Sequence, residues 1–147
     1  MSAALDVNIL LHASHSADVL HERAATFLRQ RLVLPDLTYV FWPTIMGYLR
    51  IVTHRGILAA PLSLESAVGN IDRLLARGNI RTGGEGDRFW PMLLDTIGGA
   101  GVHGNLVPDA HLVALMREHG VGTLYSRDRG IRRFDGIRVV DPLDDTD

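Results

Sequence analysis

The sequence of 147 residues contains no cysteine and no lysine. The absence of cysteine excludes disulfide bonds and thiolate metal ligands. No run of about 18 apolar residues occurs, and no basic segment followed by an apolar stretch opens the chain. The sequence therefore predicts neither a membrane span nor a secretion signal, and we expect a cytoplasmic location.

All 15 basic residues are arginines, in a chain whose formal net charge is -2. Guanidinium groups bind phosphates through paired hydrogen bonds, but a GC-rich genome would also favour arginine codons, and we prefer that explanation for the chain as a whole. The charges are unevenly distributed in the C-terminal part, where a basic cluster precedes an acidic one. The basic cluster comprises Arg127, Arg129, Arg132, Arg133 and Arg138, and the acidic cluster comprises Asp141, Asp144, Asp145 and Asp147.

Hydrophobic residues make up 46% of the chain and charged residues 22%, which is typical of a folded protein. A chain of this length can bury most of its apolar surface in one core. We therefore expect residues 1–147 to form a single domain.

Strands and helices are predicted to alternate along the chain. Apolar periodicity, caps and glycine stops predict strands at 3–11, 32–34, 122–125 and 137–140, and helices at 17–31, 39–54, 63–76, 86–97 and 108–119, with a short helix or turn at 128–134. This alternation predicts an α/β fold with a central, mainly parallel sheet flanked by helices. Such sheets bind ligands at the carboxyl ends of their strands.

Three aspartates lie where this fold would bring distant segments together. Asp6 interrupts the apolar stretch LDVNIL, where an unpaired buried carboxylate is costly; Asp109 lies in the first turn of a helix, and Asp128 follows the strand TLYS. Three converging carboxylates repel one another unless a cation neutralises them, and oxygen ligands suit Mg²⁺ or Mn²⁺. Their neighbours Asn8 and Ser126 would orient the carboxylates or water on the metal.

Each aspartate also has a structural interpretation. Asp109 follows a proline at a helix start, Asp128 would cap a turn, and Asp6 would pair with an arginine. Only the joint pattern favours a catalytic site.

Four segments carry that joint pattern in order: LDVNILLHA, GYLRIVTH, NLVPDAHLVAL and TLYSRDRGIRRF. Together they resemble the PIN-domain ribonucleases, especially the VapC toxins of bacterial toxin–antitoxin pairs. The resemblance extends over nearly the whole chain.

The resemblance implies a PIN-like three-layer fold and metal-assisted hydrolysis of RNA phosphodiester bonds. It implies that Asp6, Asp109 and Asp128 hold Mg²⁺ or Mn²⁺, that the protein is a homodimer, and that a VapB-type antitoxin restrains it. The arginines around Asp128 suit an RNA backbone, although a solvated arginine face is an equal alternative: Arg127, Arg129, Arg132 and Arg133. Arg50, in GYLR, would either face substrate or brace the fold.

The sequence departs from the family pattern at two positions. Ile45 stands where we align the usual second acid, a glutamate, and Gly130 stands where a further acid is often found. With three acids retained, we expect one tightly held ion, and any second ion would be recruited by the substrate phosphate.

The sequence is also compatible with two other functions. A nuclease-like fold without activity would act as an RNA-binding or antitoxin-binding module, and Ile45 is its best argument. A phosphatase with Asp6 as nucleophile is the weaker alternative, because Asn8 occupies the position of the second aspartate and the chain has no lysine.

Overall fold

The computed structural model describes residues 1–145, so Asp147 of the acidic cluster and the end of the expected domain lie outside it. Five strands occur in this part of the chain, β1 (Ala3–Leu5), β2 (Thr38–Tyr39), β3 (Ile80–Arg81), β4 (Thr123–Tyr125) and β5 (Arg138–Val140). Six α-helices connect them: α1 (Val7–Ser14), α2 (His21–Arg31), α3 (Trp42–Val52), α4 (Leu64–Leu75), α5 (Phe89–Ile97) and α6 (Val107–Glu118).

All strand pairs of the sheet are parallel, in the order β3-β2-β1-β4-β5. The chain therefore builds the sheet outward from β1 in one direction and then returns to build it in the other. β1 and β4 are the neighbours at which the direction changes, and parallel sheets bind ligands at such a switch point.

The two faces of the sheet bury separate cores because successive strand residues point to opposite sides. Ala4 and Leu124 pack with α6 on one face, whereas Leu5 and Val40 pack with α3 and α4 on the other. Helices thus cover both faces, which confirms the predicted three-layer α/β architecture.

The prediction of a strand over residues 3–11 was wrong beyond Leu5. The Asp6 carboxylate accepts a hydrogen bond from the Val7 amide and caps α1, so the apolar run that follows is helical. A short apolar run does not distinguish a buried strand from a buried helix. Asp6 therefore lies at a strand-to-helix junction.

Other boundaries also differ. No strand forms at 32–34, where the end of α2 runs into a turn before Pro35, and β2 and β3 were not predicted. The helices α2, α3 and α5 begin three or four residues later than expected, and Pro43 lies in the first turn of α3. The cap at Ser63, Asp109 in the first turn of α6, and strands close to 122–125 and 137–140 are confirmed.

No helix within residues 1–145 is long and apolar enough to span a membrane.

Candidate active site

The residues that directly follow β1 and β4 lie side by side because these two strands are neighbours in the sheet. The Asp6 amide donates to the Tyr125 carbonyl at 3.0 Å, and the Ser126 amide donates to the Val140 carbonyl at 2.9 Å. Asp6 and Ser126 therefore leave the carboxyl ends of two adjacent parallel strands at the switch point.

Asp6 is a buried carboxylate surrounded by donors. Its Oδ1 accepts from the Val7 amide at 2.7 Å, and its Oδ2 accepts from Ser126 Oγ at 2.5 Å and from Asn8 Nδ2 at 3.4 Å. Burial raises the pKa of Asp6 above its ordinary value, and the charge of Asp128 adds to this, although the hydrogen bonds from Ser126 and Val7 oppose it.

The hydroxyl of Ser126 connects the Asp6 carboxylate to the segment that contains Asp128. Besides donating to Asp6, Ser126 Oγ accepts from the Asp128 amide at 2.9 Å and from Asn8 Nδ2 at 3.3 Å. Asn8 Oδ1 accepts from the Arg127 amide at 3.3 Å. The two polar residues that the sequence suggested as orienting groups thus both contact the Asp6 carboxylate.

The charges of both other aspartates affect the pKa of Asp109. Burial raises its pKa to about 6, with further contributions from the charges of Asp128 and Asp6, and the charge of Arg133 opposes them. Asp128 itself is exposed, and its Oδ1 accepts from the Gly130 amide at 2.9 Å. The fold therefore brings the three predicted acids close enough to influence one another electrostatically.

Asp6 and Asp109 line one cleft of about 210 Å³, together with Thr44, Gly47, Arg50 and His111. Asp128 does not line this cleft. Within residues 1–145, no three acidic or histidine side chains are arranged to hold a metal ion by themselves. A larger groove of about 420 Å³ between α1, α2 and α4 contains no carboxylate.

This donor set fits Mg²⁺ or Mn²⁺, as judged by its chemistry. Carboxylate oxygens are hard ligands, and Mg²⁺ is usually bound through one or two carboxylates, several waters and substrate phosphates. Asp6 and Asp109 would supply the two carboxylates of such a site. Burial is the main cause of their raised pKa values, and the charge of Asp128 adds to it; a bound cation would favour the ionised form of both carboxylates.

The interpretation of Ile45 as the vacant acid position was wrong. Ile45 is 1% exposed and packs in the apolar core with Leu5 and Tyr48. Gly47 lines the cleft instead, and a Cβ built on it would meet only Val7 Cγ2, at 3.8 Å. A carboxylate on α3 would therefore reach the cleft from position 47, because positions two apart on a helix point in different directions.

The four predicted RNA-binding arginines have different surroundings. Arg127 Nη1 lies 3.4 Å from Asp141 Oδ2, and Arg129 Nη2 lies 3.4 Å from Asp144 Oδ2. Arg133 Nε donates to the Gly130 carbonyl at 3.1 Å, and the exposed Arg132 side chain has no partner among the described residues. Two of the four are thus already in ion pairs.

Sequence reasoning missed His111, which lines the cleft two residues after Asp109. Its Nε2 lies 2.5 Å from Glu85 Oε1, and its ring and that of Phe89 form a T-shaped contact with centroids 5.3 Å apart. Proximity to Asp109 in the same helical turn was the available signal. The loop that carries Glu85 has no periodicity from which this contact could be predicted.

We expect the metal-free protein to become less stable as pH rises from about 4 through 6. The folded-state pKa of Asp109, about 6, exceeds its ordinary value, so the folded state binds more protons in this window. The raised pKa of Asp6 also lowers the stability of the metal-free protein as pH rises. The change Asp109→Asn should stabilise the protein by roughly 1 kcal/mol at pH 7.5, a value reduced because solvent screens this partly exposed group.

Thermal unfolding in EDTA at pH 5 and pH 7.5 tests this expectation. The Asp109→Asn variant should unfold about 3 °C higher than the unmodified protein at pH 7.5 and show a weaker pH dependence. A variant whose melting temperature fell between pH 5 and 7.5 as steeply as that of the unmodified protein would contradict the assignment.

The parallel sheet, the helices on both faces and the carboxylates at the switch point define a PIN-like α/β domain. Solved structures of this fold include VapC20 of Mycobacterium tuberculosis, described as a sarcin–ricin loop cleaving toxin, with a TM-score of 0.65 and 15% identity over 92% of this chain and 98% of that one. VapBC2 of Rickettsia felis, bound to a promoter DNA fragment, gives a TM-score of 0.65 and 13% identity over 95% and 98% of the two chains.

Curated relatives define the family more closely. Ribonuclease VapC48 of Mycobacterium tuberculosis is 48% identical over 143 residues, covering 97% of this chain and 99% of its own. Ribonuclease VapC43 of the same species is 33% identical over 141 residues, covering 95% of each chain. No protein-family model matches the chain. The chain belongs to the VapC ribonuclease family.

Proposed function

We propose that this protein is the toxin of a type II toxin–antitoxin system and a Mg²⁺- or Mn²⁺-dependent endoribonuclease. One observation supports the dependence on a divalent metal ion. Burial and the charge of Asp128 raise the pKa values of Asp6 and Asp109, and the charge of Asp6 adds to the shift of Asp109, yet within residues 1–145 no arginine or histidine forms an ion pair with any of the three aspartates. A divalent cation is the missing counter-charge.

Asp6 and Asp109 would be the direct ligands, and Asp128 would add negative charge that favours the cation. A bound ion would act as a Lewis acid on the phosphate and lower the pKa of a water molecule. Ser126 and Asn8 hold the Asp6 carboxylate in one orientation by hydrogen bonds, which also favour its ionised form. The neighbouring arginines, Arg127, Arg129, Arg132 and Arg133, would attract the RNA backbone.

We expect calorimetry to detect one Mn²⁺ site on the protein without RNA. Two carboxylates sharing a cleft suffice for one ion that keeps several waters, and a second ion would need a substrate phosphate. Binding should weaken as pH falls below about 6, because Asp109 must lose its proton to bind the ion. Two sites of similar affinity on the protein alone would contradict this stoichiometry.

We propose a VapB-type antitoxin as the cognate partner, a homodimeric assembly, and action in the cytoplasm, where RNA substrates are found. Two structural neighbours support the antitoxin, the VapBC2 structure and FitAB bound to IR36 DNA. Trp90 and Leu94 of α5 support a dimer, because these large apolar side chains are 62% and 48% exposed.

RNA cleavage with and without EDTA tests the proposed function. We expect total RNA to be cut into discrete fragments in Mg²⁺ or Mn²⁺, and the cleavage to stop in EDTA. If the protein retained RNA without cutting it under any metal condition, it would be a binding module instead, and the endoribonuclease assignment would be wrong.

A further inference from the structure

Four ionisable side chains line the carboxylate cleft, namely Asp6, Asp109, His111 and Arg50. The first two are the proposed metal ligands, and the Nε2 atom of His111 is held by Glu85. The guanidinium of Arg50 forms no hydrogen bond or ion pair with any of residues 1–145, and the hydrogen bond from the Thr53 hydroxyl goes to the backbone carbonyl of Arg50. Arg50 is thus the unengaged cation of the cleft within the described chain.

The position of Arg50 on α3 explains why it is unengaged. It lies in the last turn of the helix, one turn after Gly47, and three-residue spacing keeps both on the side that lines the cleft. Its side chain is exposed. An arginine that braced the fold would be tied to a carboxylate or a carbonyl, and in residues 1–145 Arg50 is tied to neither.

Arg50 shares the cleft with two carboxylates and forms an ion pair with neither. A cation used only to neutralise Asp6 or Asp109 would contact one of them. A strand of RNA in the cleft would instead place one phosphate near Asp109 of α6, which would hold the metal, and another near Arg50 of α3. Guanidinium groups bind phosphate oxygens through two parallel hydrogen bonds.

The arginines near Asp128 are less suited to this contact. Arg127 and Arg129 are paired with Asp141 and Asp144, and RNA would have to break these pairs to use them. None of the four arginines of that segment lines the carboxylate cleft.

We propose that Arg50 binds a backbone phosphate of the RNA strand in the carboxylate cleft and thereby positions the neighbouring phosphodiester for cleavage. This inference rests on the proposed ribonuclease function. It assigns the substrate contact to α3, which lines the cleft together with the Asp109 carboxylate of α6.

Salt-dependent RNA binding by the full chain tests the contact. The probe is a fluorescein-labelled, mixed-sequence single-stranded RNA of about 20 nucleotides, and EDTA prevents metal-dependent hydrolysis. In Arg50→Ala, the slope of log Kd against log salt should decrease by about 0.7, the value for one lost phosphate contact on a single strand. The Kd at low salt should weaken about tenfold.

Two further variants separate a phosphate contact from a general charge or folding effect. Arg50→Lys keeps the charge but not the paired hydrogen bonds, so its salt slope should equal that of the unmodified protein and its affinity should be intermediate. Arg55→Ala removes an exposed arginine just beyond α3 that does not line the cleft, and it should bind RNA normally. All variants should keep the melting temperature of the unmodified protein within about 2 °C.

Cleavage kinetics in Mn²⁺ distinguish failure of this inference from failure of the proposed function. Arg50→Ala should raise KM more than it lowers kcat. If the unmodified protein cleaves RNA and Arg50→Ala matches Arg55→Ala in salt slope, Kd and KM, the phosphate contact does not exist. The same conclusion holds if Arg50→Ala weakens only the binding of an antitoxin. If the unmodified protein neither binds nor cleaves RNA, the ribonuclease function itself is wrong and the inference falls with it.

Discussion

Replacing Asp6 by asparagine should lower RNA cleavage at least about 100-fold without unfolding the protein, because a divalent ion contributes several kcal/mol to such a reaction. Asparagine is a good N-cap residue, so its side-chain oxygen can still accept the hydrogen bond from the Val7 amide. It carries no charge, so the cleft loses a metal ligand. The measurements are the initial rate of RNA cleavage in Mn²⁺ and the melting temperature in EDTA.

Asp72→Asn is a suitable control for this experiment. Asp72 is exposed on α4 and does not line the carboxylate cleft, so the variant makes the same chemical change away from the site. We expect it to cleave RNA at the unmodified rate. Full activity in Asp6→Asn, with the control also active, would refute the assignment of Asp6 as a metal ligand.

Ile45→Glu should destabilise the fold, whereas Gly47→Glu should increase the affinity for Mn²⁺, although the two positions are close in sequence. Ile45 is 1% exposed in an apolar core, and a carboxylate there would be buried without a partner, which should cost at least about 4 kcal/mol of unfolding free energy. At Gly47 only Val7 Cγ2 lies near the new Cβ, at 3.8 Å, so the side chain can enter the cleft. This variant should fold and bind Mn²⁺ more tightly.

Urea denaturation and Mn²⁺ calorimetry check this pair. The matched variants Ile45→Gln and Gly47→Gln carry no charge, and Gly47→Gln should not gain metal affinity. A stable Ile45→Glu protein with increased Mn²⁺ affinity would mean that position 45 faces the site, contrary to the packing described above.

Much of the site could be predicted from the sequence because parallel strands leave a sheet at the same edge. Asp6 was predicted inside the first strand and lies at its end, Asp128 follows a strand that the apolar pattern detects, and Asp109 follows a proline typical of a helix start. In the structure Asp6 and Asp109 line one cleft, and the charge of Asp128 acts on both of them from outside that cleft. Whether they bind metal stays a prediction.

The direction of the α3 side chains could not be predicted in the same way. α3 is apolar over much of its length, so its sequence does not reveal which side faces the core and which faces the cleft, and Ile45 was assigned to the wrong side. The strands β2 and β3 were missed because each contains only two residues, too few for alternation to be visible. Packing against the other elements determines both features.

The hydrogen bond between Ser126 and Asp6 joins residues separated by 120 positions. A ribosome must therefore synthesise most of the polypeptide before the two halves of the proposed active site can meet. Nascent chains and prematurely terminated products would hold Asp6 without its partners from β4 onward. The proposed metal site, and any nuclease activity that depends on it, would therefore form only after β4 and Ser126 have been synthesised.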